Sequence, residues 1–131
     1  MTPNEYQQLA LRTESVDKAL DTLGMSGSYN RMRLIRLLHG AVGMNTEQAE
    51  LADMLKKHLF YGKDLDLVNV LEEVGDALWY CAVALDAAGY TMEEAMLRNI
   101  AKLRARYPEK FDEGRALERN LDTERKILEG K

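Results

Sequence analysis

Two acidic pairs, Glu47-x-x-Glu50 and Glu73-x-x-Asp76, are the residues in this chain best spaced to do chemistry. Each pair falls within a segment of helical periodicity, and residues three apart on a helix project from one face. Two such helices packed side by side aim four carboxylates at one place. Negative charges do not share a site unless a cation holds them. All-oxygen ligation suits a hard ion such as Mg2+ or Mn2+, and an ion held this way typically works on phosphate.

The neighbours of these acids widen the candidate set. On the first helix Glu50 lies about 60° behind Glu47 and Asp53 about 60° further, with Lys57 near the same stripe. On the second, Glu72 is one turn from Asp76, so Asp53 and Glu72 are spare ligands. Asn99, Lys102 and Arg106 follow at i, i+3 and i+7 on a later helix. A stripe of amide, ammonium and guanidinium suits a di- or triphosphate tail. The plainer readings are a solvated acidic face and a basic face that snorkels near a helix C-terminus. Tyr80, one turn beyond Asp76, faces a nucleobase or fills the core, and His39, two turns before Glu47, contacts sugar or base or serves as a structural hydrogen-bonder. His58 reads as a helix-end residue. A di-iron bundle needs Glu-x-x-His pairs, whereas Arg36 and Leu55 stand three before the two histidines.

These residues need helices to position them. The first predicted helix opens at Thr2, with Pro3 at N1 and Glu5 at N3 as a capping box, and runs to Leu23-Gly24. The stretch Met25-Ser26-Gly27-Ser28 reads as a linker. The second segment spans about 29–61, with Leu34, Leu37, Leu38, Leu51 and Leu55 in helical period; Gly40, Gly43, Asn45 and Thr46 are places where it bends or restarts. The third begins after the N-cap Asp66 and ends at Gly89. From Ala77 to Ala88 it is apolar almost all round, which predicts burial on every side, at a bundle centre or against another subunit. The fourth opens with Thr91 and Glu94 as a second capping box and stops at Pro108. Beyond Phe111 the chain is mostly charged, and 122–128 reads as a short peripheral helix with weak core contact. The expected fold is an all-α, four-helix-bundle-like domain over 1–111, with a charged C-terminal tail or helix over 112–131.

Composition sets the outer bounds. The chain has 131 residues, enough for one domain with a real core. A formal net charge of -4 supplies no global basic field for a nucleic acid polymer. Cys81 is the only cysteine, so neither an intrachain disulfide nor a zinc cluster is expected. No stretch approaches the ~20 apolar residues of a membrane span. The N-terminus lacks the basic and apolar regions of a signal peptide, and the expected location is the cytoplasm.

The ordered combination of Leu-Leu-His-Gly-Ala-Val-Gly (37–43), Glu-Gln-Ala-Glu-Leu-Ala-Asp-Met-Leu-Lys-Lys (47–57), Glu-Glu-Val-Gly-Asp-Ala-Leu-Trp-Tyr (72–80) and Asn-Ile-Ala-Lys-Leu-Arg-Ala-Arg-Tyr-Pro (99–108) resembles the MazG-like family of all-α nucleoside triphosphate pyrophosphohydrolases. Asn-Glu-Tyr-Gln (4–7) and Arg12-Thr13 are similar to small single-domain members, many from phages and bacteria. One departure is visible: relatives often carry Gly-Glu-x-Gly-Glu where this chain has Thr46-Glu47-Gln48-Ala49-Glu50. The resemblance implies metal ligands at Glu47, Glu50, Glu73 and Asp76, and phosphate contacts at Asn99, Lys102 and Arg106. It implies Mg2+- or Mn2+-dependent cleavage of a nucleoside triphosphate between the α- and β-phosphates, with Glu47 or Glu50 orienting the attacking water. It further implies a homodimer or homotetramer acting on the nucleotide pool, in the host cytoplasm if phage-encoded. The sequence leaves the base preference open between an ordinary deoxynucleotide such as dGTP and non-standard dNTPs removed by house-cleaning. The competing reading is a non-catalytic helical oligomerisation or regulatory module.

Overall fold

The computed structural model describes residues 1–24 and 29–131, so the linker expected at 25–28 lies outside the described residues. The described residues form helices and no strand. They group into two compact units, Met1–Thr91 and Met92–Lys131.

The first unit contains α1 (Pro3–Leu11), α2 (Asp17–Thr22), α3 (Tyr29–Tyr61) and α4 (Leu67–Ala88). The expected capping box is present: Thr2 Oγ1 accepts from the Glu5 N–H, and the Thr2 N–H donates back to Glu5. The single helix expected from Thr2 to Leu23 is instead two helices. The carbonyl of Ala10 explains the break. A continuing helix would give it to residue 14, but Thr13 Oγ1 donates to it at 2.8 Å and Trp79 Nε1 at 3.0 Å. Local hydroxyl bonding of this kind competes with helix propagation, and here a tryptophan from α4 reinforces it.

By contrast, α3 runs unbroken through Gly40, Gly43 and Thr46. Asn45 and Thr46 bond back to the carbonyls of Ala41 and Gly43 within their own helix, so Thr46 caps nothing. The glycines serve tertiary packing. A Cβ at Gly40 would lie 2.8 Å from the Ala84 Cβ, and one at Gly43 would overlap the Tyr80 ring. Their absence lets α3 and α4 pack backbone to backbone. As expected, α4 starts on Asp66, whose carboxylate accepts from the Val68 and Asn69 N–H groups, and ends at Gly89 with φ 83°. A positive φ there costs glycine little.

The core of this unit is small, with Ala10, Leu20, Ile35, Ala82, Val83 and Ala87 buried. Within the single chain Ala82, Val83 and Ala87 of α4 are buried, whereas Leu78 is exposed. Polar ties add specificity. Buried Gln7 donates to the carbonyls of Ala82 and Tyr90. The Arg36 guanidinium is forked onto Glu14 at 2.8 and 2.6 Å and also reaches Asp86 at 2.7 Å. Hydrogen bonding to Glu14 is the main cause that holds its pKa above the usual arginine value.

The second unit contains α5 (Met92–Arg106), α6 (Glu113–Leu117) and α7 (Leu121–Glu129). The short helix expected over 122–128 forms, but its contact is not weak. Glu124 is buried and accepts a forked pair of bonds from Arg106 and a further bond from Arg119. These two guanidiniums, Arg106 first, pull the Glu124 carboxyl down to about 2. At the other end Arg98 donates to the Leu128 carbonyl at 2.6 Å. The sequence pattern gave no sign of α6.

Candidate metal centre and active site

The close approach of α3 and α4 sets Glu47 of one helix against Glu73 and Asp76 of the other. One oxygen from each of the three lies within 4.8 Å of the others. Glu73 is buried, Glu47 half-buried and Asp76 exposed. Each is held differently. Glu73 Oε1 accepts from Asn69 Nδ2 at 2.9 Å, one turn earlier on α4, and Glu47 Oε1 accepts from Thr46 Oγ1 at 3.0 Å. The Asn69 contact lies at i, i+4 from Glu73, a spacing readable in the sequence but overlooked there.

Burial is the main cause that pushes the Glu73 carboxyl above the usual range. The Glu50 charge and a hydrogen bond with Glu47 add to it, while the Asn69 bond works against it. Glu50 is therefore close enough to act on Glu73, although it stands outside the tight group of three. Of the two spare acids, Glu72 is exposed. Asp53 is committed to Lys56 and Lys57 at 2.5 and 2.6 Å, which hold its carboxyl at about 2.

This electrostatic frustration has a measurable consequence. A carboxyl whose folded pKa is raised contributes stability below its unfolded pKa, and that contribution is lost as pH rises through the folded value. In metal-free protein, Glu73→Gln is expected to raise the thermal midpoint relative to wild type by an amount that grows from the ordinary carboxylate range towards neutral pH. Saturating Mn2+ is expected to raise the wild-type midpoint by several degrees and to do little for the variant. Melting curves at stepped pH, with and without chelator, check both; a variant difference that does not change with pH would refute this account of Glu73.

Two cavities flank the three acids. One, of about 330 Å3, is lined by Glu47, Asp76, Trp79 and Tyr80. His39 stands edge-on to both aromatic rings, at 5.7 Å from Trp79 and 5.5 Å from Tyr80. Tyr80 thus does two things: its ring packs on Gly43 and it also lines this cavity. Trp79 is anchored by donating to Ala10 and Thr13. The other cavity, of about 470 Å3, lies at the α3–α4 turn, where Glu50, Asp53, Lys57, Lys63, Asn69 and Glu73 are among its walls. Lys63 did not stand out in the sequence, because a lone lysine after Gly62 carries no periodic signal.

Asn99, Lys102 and Arg106 lie together on α5 in the second unit. Asn99 is exposed and Lys102 half-buried. The Arg106 guanidinium is occupied by Glu124, which leaves Asn99 and Lys102 as the stripe's available groups.

Paired helices that gather carboxylates into one cluster define an all-α protein with a candidate divalent-metal site. A family model described as the MazG nucleotide pyrophosphohydrolase domain matches residues 42–111, more than half of the chain. The chain belongs to that family, which supports nucleotide pyrophosphohydrolase activity. No curated protein and no solved structure matched it. Among the described residues, no helix is long and apolar enough to cross a membrane.

Proposed function

We propose that this chain hydrolyses a (deoxy)nucleoside triphosphate between the α- and β-phosphates, releasing a nucleoside monophosphate and pyrophosphate for nucleotide-pool control. The observation that carries the reading is the Glu47–Glu73–Asp76 group, with its oxygens within 4.8 Å, in a chain of this family.

The donor set fits a hard divalent ion. It is all carboxylate oxygen, and burial first, then the Glu50 and Glu47 carboxylates, disfavour the charged form of Glu73, a cost that a bound cation would relieve. Mg2+ or Mn2+ there would supply charge neutralisation for phosphate oxygens and would lower the pKa of a coordinated water. The chain's own residues do the rest. Glu47, Glu73 and Asp76 would hold the ion. Glu50, beside the group but outside it, is free to orient the attacking water and accept its proton. The family match, which extends over 99–102, is what supports Asn99 and Lys102 as further phosphate contacts. Trp79, Tyr80 and His39 offer aromatic surface to the base and sugar.

The direct test is incubation with mixed ribo- and deoxynucleoside triphosphates and Mg2+ or Mn2+, followed by assays for pyrophosphate and monophosphate. Turnover of none of them under either metal would overturn the proposal in favour of a non-catalytic helical module. A panel of ordinary and modified dNTPs then separates a dGTP-type target from house-cleaning.

A homo-oligomer belongs to the same proposal. Leu67, Leu71, Val74 and Leu78 recur at i, i+4, i+7 and i+11 on α4, all exposed, and Leu34, Leu38 and Val42 on α3 are also exposed. Monomers rarely leave apolar surface of this extent uncovered. Light scattering should give at least twice the 14.9 kDa chain mass; the mass of a single chain at micromolar concentration would argue against a self-associated form.

A further inference from the structure

We propose that the nucleotide lies along α3 and α4 in one direction only, with its terminal phosphates towards the α3–α4 turn, where the Lys63 ammonium receives them. This inference rests on the hydrolase reading and adds the orientation of the substrate and a phosphate-holding residue.

The orientation follows from the different chemistry on either side of the carboxylates. On one side Trp79 and Tyr80 share a cavity with Glu47 and Asp76. On the other, Lys57 and Lys63 share a cavity with Glu50, Glu73 and three aspartates, Asp53, Asp64 and Asp66. A nucleobase gains from stacking on aromatic faces, and a phosphate tail gains from ammonium groups. With the scissile α-phosphate at the acids, the base faces the aromatic end and the leaving pyrophosphate faces the lysine end.

The hydrogen bonds at that end single out Lys63. Asp53 takes both Lys56 and Lys57 in ion pairs, so neither ammonium is free. Asp66, another wall of the cavity, is used by the Val68 and Asn69 N–H groups. Among the described residues Lys63 has no ion-pair partner. Its backbone is nevertheless fixed on both sides. Its N–H donates to the Lys57 carbonyl at 3.2 Å, its carbonyl lies 2.7 Å from His58 Nδ1, and the preceding Gly62 makes the turn at φ 67°. A pinned backbone with an uncommitted ammonium at a cavity wall suits an anion that arrives with substrate. His58 thereby gains a role as the residue that steadies this turn.

The test compares wild type, Lys63→Gln, Lys63→Arg and Lys18→Gln, a charge-matched control on α2. Calorimetry measures binding of inorganic pyrophosphate and of nucleoside monophosphate in Mg2+, and steady-state kinetics follow a triphosphate. Lys63→Gln is expected to weaken pyrophosphate binding about tenfold or more, as loss of a charge-assisted contact does. KM should rise in parallel, with kcat within about threefold of wild type. Lys63→Arg should restore most of both, and monophosphate binding should not change. Circular dichroism verifies that each variant is folded. Undiminished pyrophosphate binding by Lys63→Gln overturns the proposal even if wild type hydrolyses triphosphates. Equal weakening of monophosphate overturns the orientation. Lys63-dependent pyrophosphate binding by a wild type that turns over no triphosphate supports the anion site and overturns the hydrolase reading.

Discussion

Glu73→Gln is expected to lower metal-dependent pyrophosphate release by about a thousandfold, the scale on which loss of metal-based charge stabilisation acts. Glu73 is the sharpest probe of the cluster because it is buried, lines the cavity at the α3–α4 turn and is acted on by both Glu50 and Glu47. Glutamine retains the oxygen that accepts from Asn69, so the local hydrogen bond and the helix persist. What disappears is one negative charge among the oxygens that would face an ion. Metal titration should show weakened Mn2+ binding alongside the lost turnover. Activity within about tenfold of wild type, with an unchanged metal requirement, would remove this group of acids from the mechanism. Glu50→Gln tests a different step: it should spare metal binding while turnover falls, as expected for a group that handles the attacking water.

A second large effect is expected far from any charge. Gly43→Val should cost at least about 3 kcal/mol of unfolding free energy, the upper range for overpacking a filled interface. Helix propensity points weakly the other way, since glycine in a helix interior is worse than valine by only about 0.3 kcal/mol. Packing wins because the Tyr80 ring already occupies the space a Cβ would need. Activity should fall as well, because the same α3–α4 contact sets Glu47 opposite Glu73 and Asp76. Urea unfolding measures the cost, and a double-mutant cycle assigns its origin. In a Tyr80→Ala background the penalty of Gly43→Val should largely vanish. If the penalty persists undiminished there, the glycine is required for some reason other than the tyrosine ring.

Much of the local structure was legible along the chain. Thr2 with Glu5, Asp66 and Gly89 mark helix ends where they occur, because capping is a matter of a few consecutive residues. The spacing of Glu47, Glu73 and Asp76 singled out acids that do meet. The glycines of α3 were harder. As sequence they read as breaks, since a single chain does not reveal that another helix needs the space. Arg106 has a similar history. Its i+7 spacing from Asn99 suggested a phosphate contact, but α7 brings Glu124 to it, and a buried carboxylate with a forked guanidinium leaves little capacity for another anion.

What the sequence by itself determined is therefore the helical periodicity, the helix ends and the acidic residues able to share a face, because these depend on neighbours within a turn or two. Only the tertiary structure decided that Glu73 is buried while Glu50 stands aside, and that Trp79 reinforces the end of the first helix by donating to the Ala10 carbonyl. It alone showed that Lys56 and Lys57 are committed to Asp53, with Lys63 in no ion pair among the described residues. Burial and charge pairing depend on which surfaces meet in space, and residues far apart in the chain settle that together.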